Sequence, residues 1–169
     1  DDRPVIFMMA HLGNWEFSGL ASSQRGLAVD RVYRQANNRL TEWLLNRGRA
    51  SIEGALIPKG PAGAKQILSS LKAGNHLALL VDQKMNDGIP VPFFGADAMT
   101  APALAQLALR LTCPVVPVRV KRLKGANFQV IVSPPMKFTS SGDQQADVLA
   151  YMTEINAIIE GWIRDTPGQ

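Results

Sequence analysis

The apolar and polar positions of this chain change period along its length, and each change marks an element. Residues 4–10, PVIFMMA, are an unbroken apolar run ahead of a Gly13-Asn14 pair, the pattern of a strand buried on both faces that leads into a helix. Residues 14–26 fit that helix, with Asn14 as N-cap and Gly26 near its end. Residues 27–34 alternate as a strand, and a helix over 37–49 brings Leu40, Trp43, Leu44 and Leu45 to one face. A short apolar piece at 55–58 precedes a helix over 61–74, marked by Ile67, Leu68 and Leu71 and stopped by Gly74. The run 76–83 is another buried strand, delivering Asp82 and Gln83 at its C-terminal end. Gly, Pro and Asp content makes 85–100 a loop, from which Thr100 caps a helix reaching Leu111 with Pro102 in its first turn. Two strands, 114–122 and 127–135, join through LKGA as a hairpin. The tail, 143–164, is an amphipathic helix with Val148, Leu149, Met152, Ile155, Ile158, Ile159 and Trp162 in its apolar stripe.

Helices alternating with buried strands, then a late hairpin, predict an α/β fold: a mixed, mostly parallel β-sheet flanked by helices. No repeat, low-complexity tract or linker divides the 169 residues, and 46% hydrophobic with 19% charged content suits a single domain over 1–169. In such sheets ligands bind beyond the carboxyl ends of the strands. His11, Arg34 and Asp82 all fall at predicted strand ends, so they are expected to share a site.

Composition narrows the function classes. Cys113 is the single cysteine, which excludes an internal disulfide and a thiolate zinc cage. The longest apolar runs, PVIFMMA and LALLV, fall short of the roughly 20 residues that span a bilayer. A formal charge of +4 favours anionic partners such as phosphates or acidic lipids. Nucleic acid is not expected, because the arginines are not interleaved with an aromatic platform or a helix-turn-helix pattern. A start at Asp1, with no methionine and no signal stretch, marks the chain as an expected piece of a longer protein.

The chemistry concentrates in HLGNWE, residues 11–16. On one helix, residues five apart point about 140° from each other, so His11 and Glu16 meet only across a turn. Gly13 permits the turn, Asn14 caps the helix, and Glu16 then occupies its first turn, within reach of the imidazole. A carboxylate on one ring nitrogen fixes the tautomer and leaves the other nitrogen as a general base for a substrate hydroxyl. The exposed N–H groups of the helix start suit an anion or a developing oxyanion. The competing reading is a histidine ending a strand and an acid favoured by the helix dipole. Five arginines, Arg31, Arg34, Arg39, Arg47 and Arg49, lie close together with no lysine among them, as bidentate phosphate recognition would use. For Arg31 and Arg39 a solvated face with salt bridges to Asp30 and Glu42 is the simpler account. Asp82 is either an arginine partner or a cap, His76 is structural, and VPFFG at 91–95 either lines an apolar groove or is core.

HLGNWE resembles the H-x4-D/E motif of the glycerolipid acyltransferase superfamily, in the H-x-G-N-W-E form of the bacterial lipid A biosynthesis acyltransferases, the late lauroyl and myristoyl transferases. Further blocks resemble that family in order and spacing: VYRQANN at 32–38, NRGR at 46–49, LLVDQ at 79–83, GIPVPFFGADAMT at 88–100 and CPVVPV at 113–118. Gln35 stands where the family's Tyr-Arg block often has proline. No FPEGTRS-like block of the glycerophosphate enzymes follows His11. The resemblance implies a glycerolipid-acyltransferase-like fold and transfer of a fatty acyl chain from acyl carrier protein to a hydroxyl of a lipid A precursor or related glycolipid. It implies no cofactor beyond the acyl-carrier-protein thioester, which is a co-substrate. His11 would be the general base and Glu16 its orienting partner, with no covalent acyl-enzyme. Substrate contacts are expected at Gly13, Asn14, Arg34, Arg49, Asp82 and Gln83. The family also implies the cytoplasmic face of the inner membrane, through an N-terminal anchor that would precede this chain. The alternatives are another glycolipid or glycerolipid acceptor, or a noncatalytic lipid-binding domain.

Overall fold

The computed structural model describes residues 3–169, so the Asp1 start lies outside the described residues. The elements are β1 (Ile6–Met9), α1 (Glu16–Ser23), β2 (Val29–Tyr33), α2 (Arg39–Gly48), β3 (Leu56–Pro58), α3 (Pro61–Lys72), β4 (His76–Leu80), β5 (Lys84–Phe93), β6 (Ala96–Thr100), α4 (Ala103–Leu111), β7 (Val115–Arg122), β8 (Phe128–Val132) and α5 (Gln144–Asp165). Six strands form one sheet in the order β3-β2-β4-β1-β7-β8. All neighbours are parallel except the β7–β8 hairpin. The fold is therefore the mixed, mostly parallel α/β sheet that the alternating pattern predicts, of glycerolipid-acyltransferase-like architecture.

The two faces of the sheet are covered unequally. On one face Ile6, Met8, Leu77 and Val115 are fully buried beneath Leu71 of α3, Leu104 and Ala105 of α4, and Met152, Ile155 and Ile159 of α5. The other face holds a small cluster, Met9, Val116 and Val118, with Phe7, Trp15, Ala78 and Val130 only partly covered. This asymmetry follows from side-chain alternation, since residues 6 and 8 of β1 point one way and 7 and 9 the other.

Several boundaries differ from the sequence expectation. Asn14 is not the N-cap of the first helix: Trp15 holds that position in helical conformation without a side-chain cap, and Asn14 contributes only its carbonyl, to the Phe17 N–H. Thr100 ends β6 instead of capping α4, whose N-cap is Pro102. The region read as a loop, 85–100, is a two-stranded ribbon, β5–β6, turning at Phe94 and Gly95, both at positive φ. Pro90 and Pro92 argue against a strand, but spaced by two they withhold their donors on the same edge, the one a two-stranded ribbon leaves unpaired. Asn156 of α5 ties this ribbon to the body by donating to the Pro92 carbonyl at 3.2 Å.

Asp30 is not a surface partner for Arg31. It is 6% exposed and faces α3, accepting from the Ala55 N–H at 2.7 Å and from the Ser70 hydroxyl. One carboxylate thus ties β2 to β3's leading loop and to α3. Asp30→Ala leaves these donors buried without an acceptor, and urea denaturation should show a loss of about 3 kcal/mol; a loss under about 0.5 kcal/mol would show that the tie is dispensable.

Candidate active site

His11 follows the end of β1, and Asp82 the end of β4, its parallel neighbour. The register pairs Met9 with Leu80, so two residues further on His11 and Asp82 stand level, although 71 positions apart in sequence. Asp82 holds His11 twice: Oδ2 accepts from the His11 backbone N–H at 2.8 Å, and Oδ1 lies 2.7 Å from Nδ1. Such a bond to an acceptor-only carboxylate places the proton on Nδ1 and leaves Nε2 with a free lone pair. Nε2 lies 3.5 Å from the Gln83 amide, whose oxygen accepts from Lys59. The His11 side chain is 34% exposed, and Trp15 meets the ring edge-on at 5.7 Å.

The expected His11–Glu16 pair is not formed. Glu16 takes Arg49 instead, in a fork where Nε donates to Oε2 at 3.1 Å and Nη2 donates to Oε1. A guanidinium fork satisfies both carboxylate oxygens at once, which one imidazole nitrogen cannot do. The bond to Glu16 raises the pKa of Arg49 against the opposing effect of burial. So the structure holds two carboxylate pairs side by side, His11–Asp82 and Glu16–Arg49, where local spacing suggested one. Asp82 serves the histidine, neither an arginine nor a cap.

The other expected residues are placed as follows. Gly13 sits at φ +59°, and a Cβ there would stand 2.3 Å from the Val120 carbonyl, so the turn that carries His11 into α1 is pressed against β7. Arg34, beyond β2, is exposed. Arg39 is exposed too, but Arg31 is not a solvated surface residue: its guanidinium donates to the Ile52 and Gly54 carbonyls at 3.1 and 3.4 Å. Burial lowers the Arg31 pKa, with Glu16 opposing and Arg49 adding to the effect. Its buried Nε has no acceptor among the described residues. Among the described residues Glu42 forms no salt bridge with an arginine; it accepts from the Ala36 N–H at 2.8 Å, the main reason its carboxyl is lowered below the usual range. His76 is structural as expected, accepting through Nδ1 from the Val5 N–H at 3.1 Å.

A cleft of about 230 Å³ runs between α1 and the thinly covered face of the sheet, floored by Phe7, Met9, Ala78, Val118 and Val130. It exists because α1 turns small residues, Ser18, Gly19 and Ser22, toward the strands. The two hydroxyls are spent locally, on the Trp15 and Gly19 carbonyls, which leaves the lining apolar apart from Arg25 and Arg31. A smaller hollow bordered by Met9, Trp15, Glu16 and Arg31 continues it toward His11. VPFFG does not line this cleft: Val91 is fully buried under the other face, Phe93 packs on that core, and Phe94 is at an exposed turn. Among the described residues no cluster of His, Cys, Asp or Glu is placed to hold a metal ion, and no helix is long and apolar enough to cross a membrane.

A mostly parallel sheet with a carboxylate-held histidine at its central strand ends, and an apolar cleft on one face, defines an α/β domain of the histidine-carboxylate type. The family model for bacterial lipid A biosynthesis acyltransferases matches residues 1–169, and the chain belongs to that family. It is similar to the lipid A biosynthesis acyltransferase of Haemophilus influenzae (strain ATCC 51907 / DSM 11121 / KW20 / Rd), with 23% identity over 172 aligned residues that cover 100% of this chain and 52% of that protein. The chain therefore spans about half the length of that relative.

The two carboxylate pairs are separable by NMR of the imidazole nitrogens. His11 should show its proton on Nδ1, unchanged in Glu16→Gln and redistributed in Asp82→Asn; the reverse pattern would mean that Glu16 is the working partner.

Proposed function

We propose that the chain is an O-acyltransferase domain that moves a fatty acyl group from the thioester of acyl carrier protein to a hydroxyl of a lipid A precursor or a related glycolipid. The observation that carries this reading is the His11 ring, locked by Asp82 at the carboxyl ends of the central strands with its Nε2 lone pair turned to the Gln83 amide at 3.5 Å. In the proposed reaction Nε2 takes the proton of the acceptor hydroxyl as its oxygen attacks the thioester carbonyl. The carbonyl carbon gains a C–O bond and loses its C–S bond, and the thiolate leaves with the proton from the imidazolium. Asp82 keeps the ring oriented and balances its charge while the proton is held.

The apolar cleft suits an acyl chain, because it offers hydrocarbon contact and no unsatisfied hydroxyl. Arg31 and Arg49 bring two guanidinium groups to Glu16, a type of group that suits the phosphate of an acceptor or of a phosphopantetheine arm. Arg34, exposed beyond β2, is free in position to reach the same anion. Gly13, Asn14 and the uncapped start of α1 supply N–H groups for the oxyanion, and Gln83 beside Nε2 contacts the acceptor. Glu16 acts through Arg49 and not through His11. Attachment to the cytoplasmic face of the inner membrane, which the family implies, belongs to the same reading.

His11→Ala should lower kcat by about 10³, measured by mass spectrometry of the acylated acceptor, with the melting temperature nearly unchanged because the ring is partly exposed. Asp82→Asn should lower kcat by about 10³ or more, because the amide favours the wrong ring tautomer. Undiminished transfer by His11→Ala would sink the mechanism.

A further inference from the structure

Helix α2 presents its amphipathicity in reverse. A helix on a globular domain ordinarily turns its apolar stripe to the core. In α2 no residue is buried, and Leu40, Trp43 and Leu44 are 65%, 54% and 55% exposed. The polar side is the one that faces the protein. Glu42 bonds back to the Ala36 N–H and Asn46, and Arg49 at the helix end reaches inward to Glu16. At 100° per residue, Leu40 and Leu44 point about 160° away from Glu42, and Trp43 about 100° away. The sequence pattern predicted the stripe; the fold leaves it facing out.

The helix is nevertheless well held. Asn38 caps it through the Leu40 and Thr41 N–H groups at 2.8 and 3.2 Å, and the Glu42 and Arg49 bonds pin its inner side. The exposed leucines and tryptophan thus stand on a capped helix whose C-terminal end is fastened to Glu16 through Arg49.

The charges around the stripe select its partner. Over residues 34–48 the charged side chains are Arg34, Arg39, Glu42 and Arg47, and the one carboxylate is turned inward. What faces outward is apolar and cationic. The Arg47 guanidinium lies over the Trp43 ring, 5.5 Å from its centroid, so it can extend past the ring to a phosphate while the ring is immersed. A second copy of the chain would set these arginines against themselves across the patch. An anionic bilayer accepts both components, apolar side chains at the acyl boundary and guanidinium at the headgroups.

We propose that α2 seats the protein on an anionic lipid surface, with Leu40, Trp43 and Leu44 in the acyl boundary and Arg39 and Arg47 at the phosphates. The end of α2 is joined through Arg49 to Glu16, next in sequence to the Trp15 that touches His11. Seating α2 therefore brings the candidate active site to the membrane. The purpose of this docking rests on the acyltransferase reading, but the docking can be measured without it.

The test is flotation of the protein with phosphatidylcholine vesicles containing about one-third phosphatidylglycerol, against pure phosphatidylcholine. Wild-type protein should float with the anionic vesicles. Leu40→Asp/Leu44→Asp should bind at least about tenfold more weakly, with an unchanged melting temperature because both side chains are exposed. Arg39→Gln/Arg47→Gln should weaken binding to anionic vesicles and lower its salt sensitivity. In a Trp15→Phe/Trp162→Phe background the emission of Trp43 should shift to the blue on binding. Wild-type protein that does not float overturns the proposal, as does a leucine double variant that floats like wild type. So does a leucine variant that turns a dimer into a monomer while wild-type protein ignores vesicles. His11→Ala should float normally: if it also retains transfer, the acyltransferase reading fails and the docking stands.

Discussion

Everything at the candidate site depends on the parallel pairing of β1 with β4. Because Met9 is level with Leu80, the chain beyond each strand brings His11 and Asp82 side by side, and a single carboxylate then holds both the backbone N–H and the ring of the histidine. The two bonds act on different atoms of one residue, so the ring can neither rotate nor shift without losing one of them. A register slip of one residue would send both side chains to the opposite faces of the sheet. The buried face protects against such a slip, since Ile6, Met8 and Leu77 fill the core only in this register.

The same sheet explains why an apolar cleft lies under α1, with a smaller hollow leading from it to the Trp15 that contacts the histidine. Three helices cover one face with large aliphatic side chains, while the other receives eight-residue α1, whose inward residues are small. A short, small-sided helix cannot close against a pleated surface, and the remaining space is lined by the outward-pointing alternates of the core strands. Core packing and cleft are thus two consequences of one alternation.

Glu16 and α2 show how one ion pair orders distant parts. By taking both oxygens of Glu16, Arg49 fastens the end of α2 to the start of α1, and the inward turn of Glu42 completes the attachment. An attachment made by polar groups puts the polar side of α2 against the protein and leaves its leucines and Trp43 outside. The contacts that fasten this helix are polar ones, and none of its residues is buried.

Periodicity and punctuation in the sequence determined most of the elements: the buried strands, the Gly74 stop, the β7–β8 hairpin, and the placing of His11 and Asp82 at strand ends. These are local properties, written within a few residues of each other. The ribbon at 84–100 was hidden because proline and glycine content signals a loop until a partner strand shows which edge is free. The partner of His11 was hidden for a deeper reason. Spacing pointed to Glu16, five residues away, whereas the tertiary structure supplies Asp82 through strand order, a long-range property that no local pattern carries. Likewise the stripe of α2 announced that an apolar face exists, and only the tertiary structure, which fastens the end of the helix to Glu16 through Arg49, shows that this face looks outward, because where a helix lies against its neighbours is set by contacts far apart in sequence.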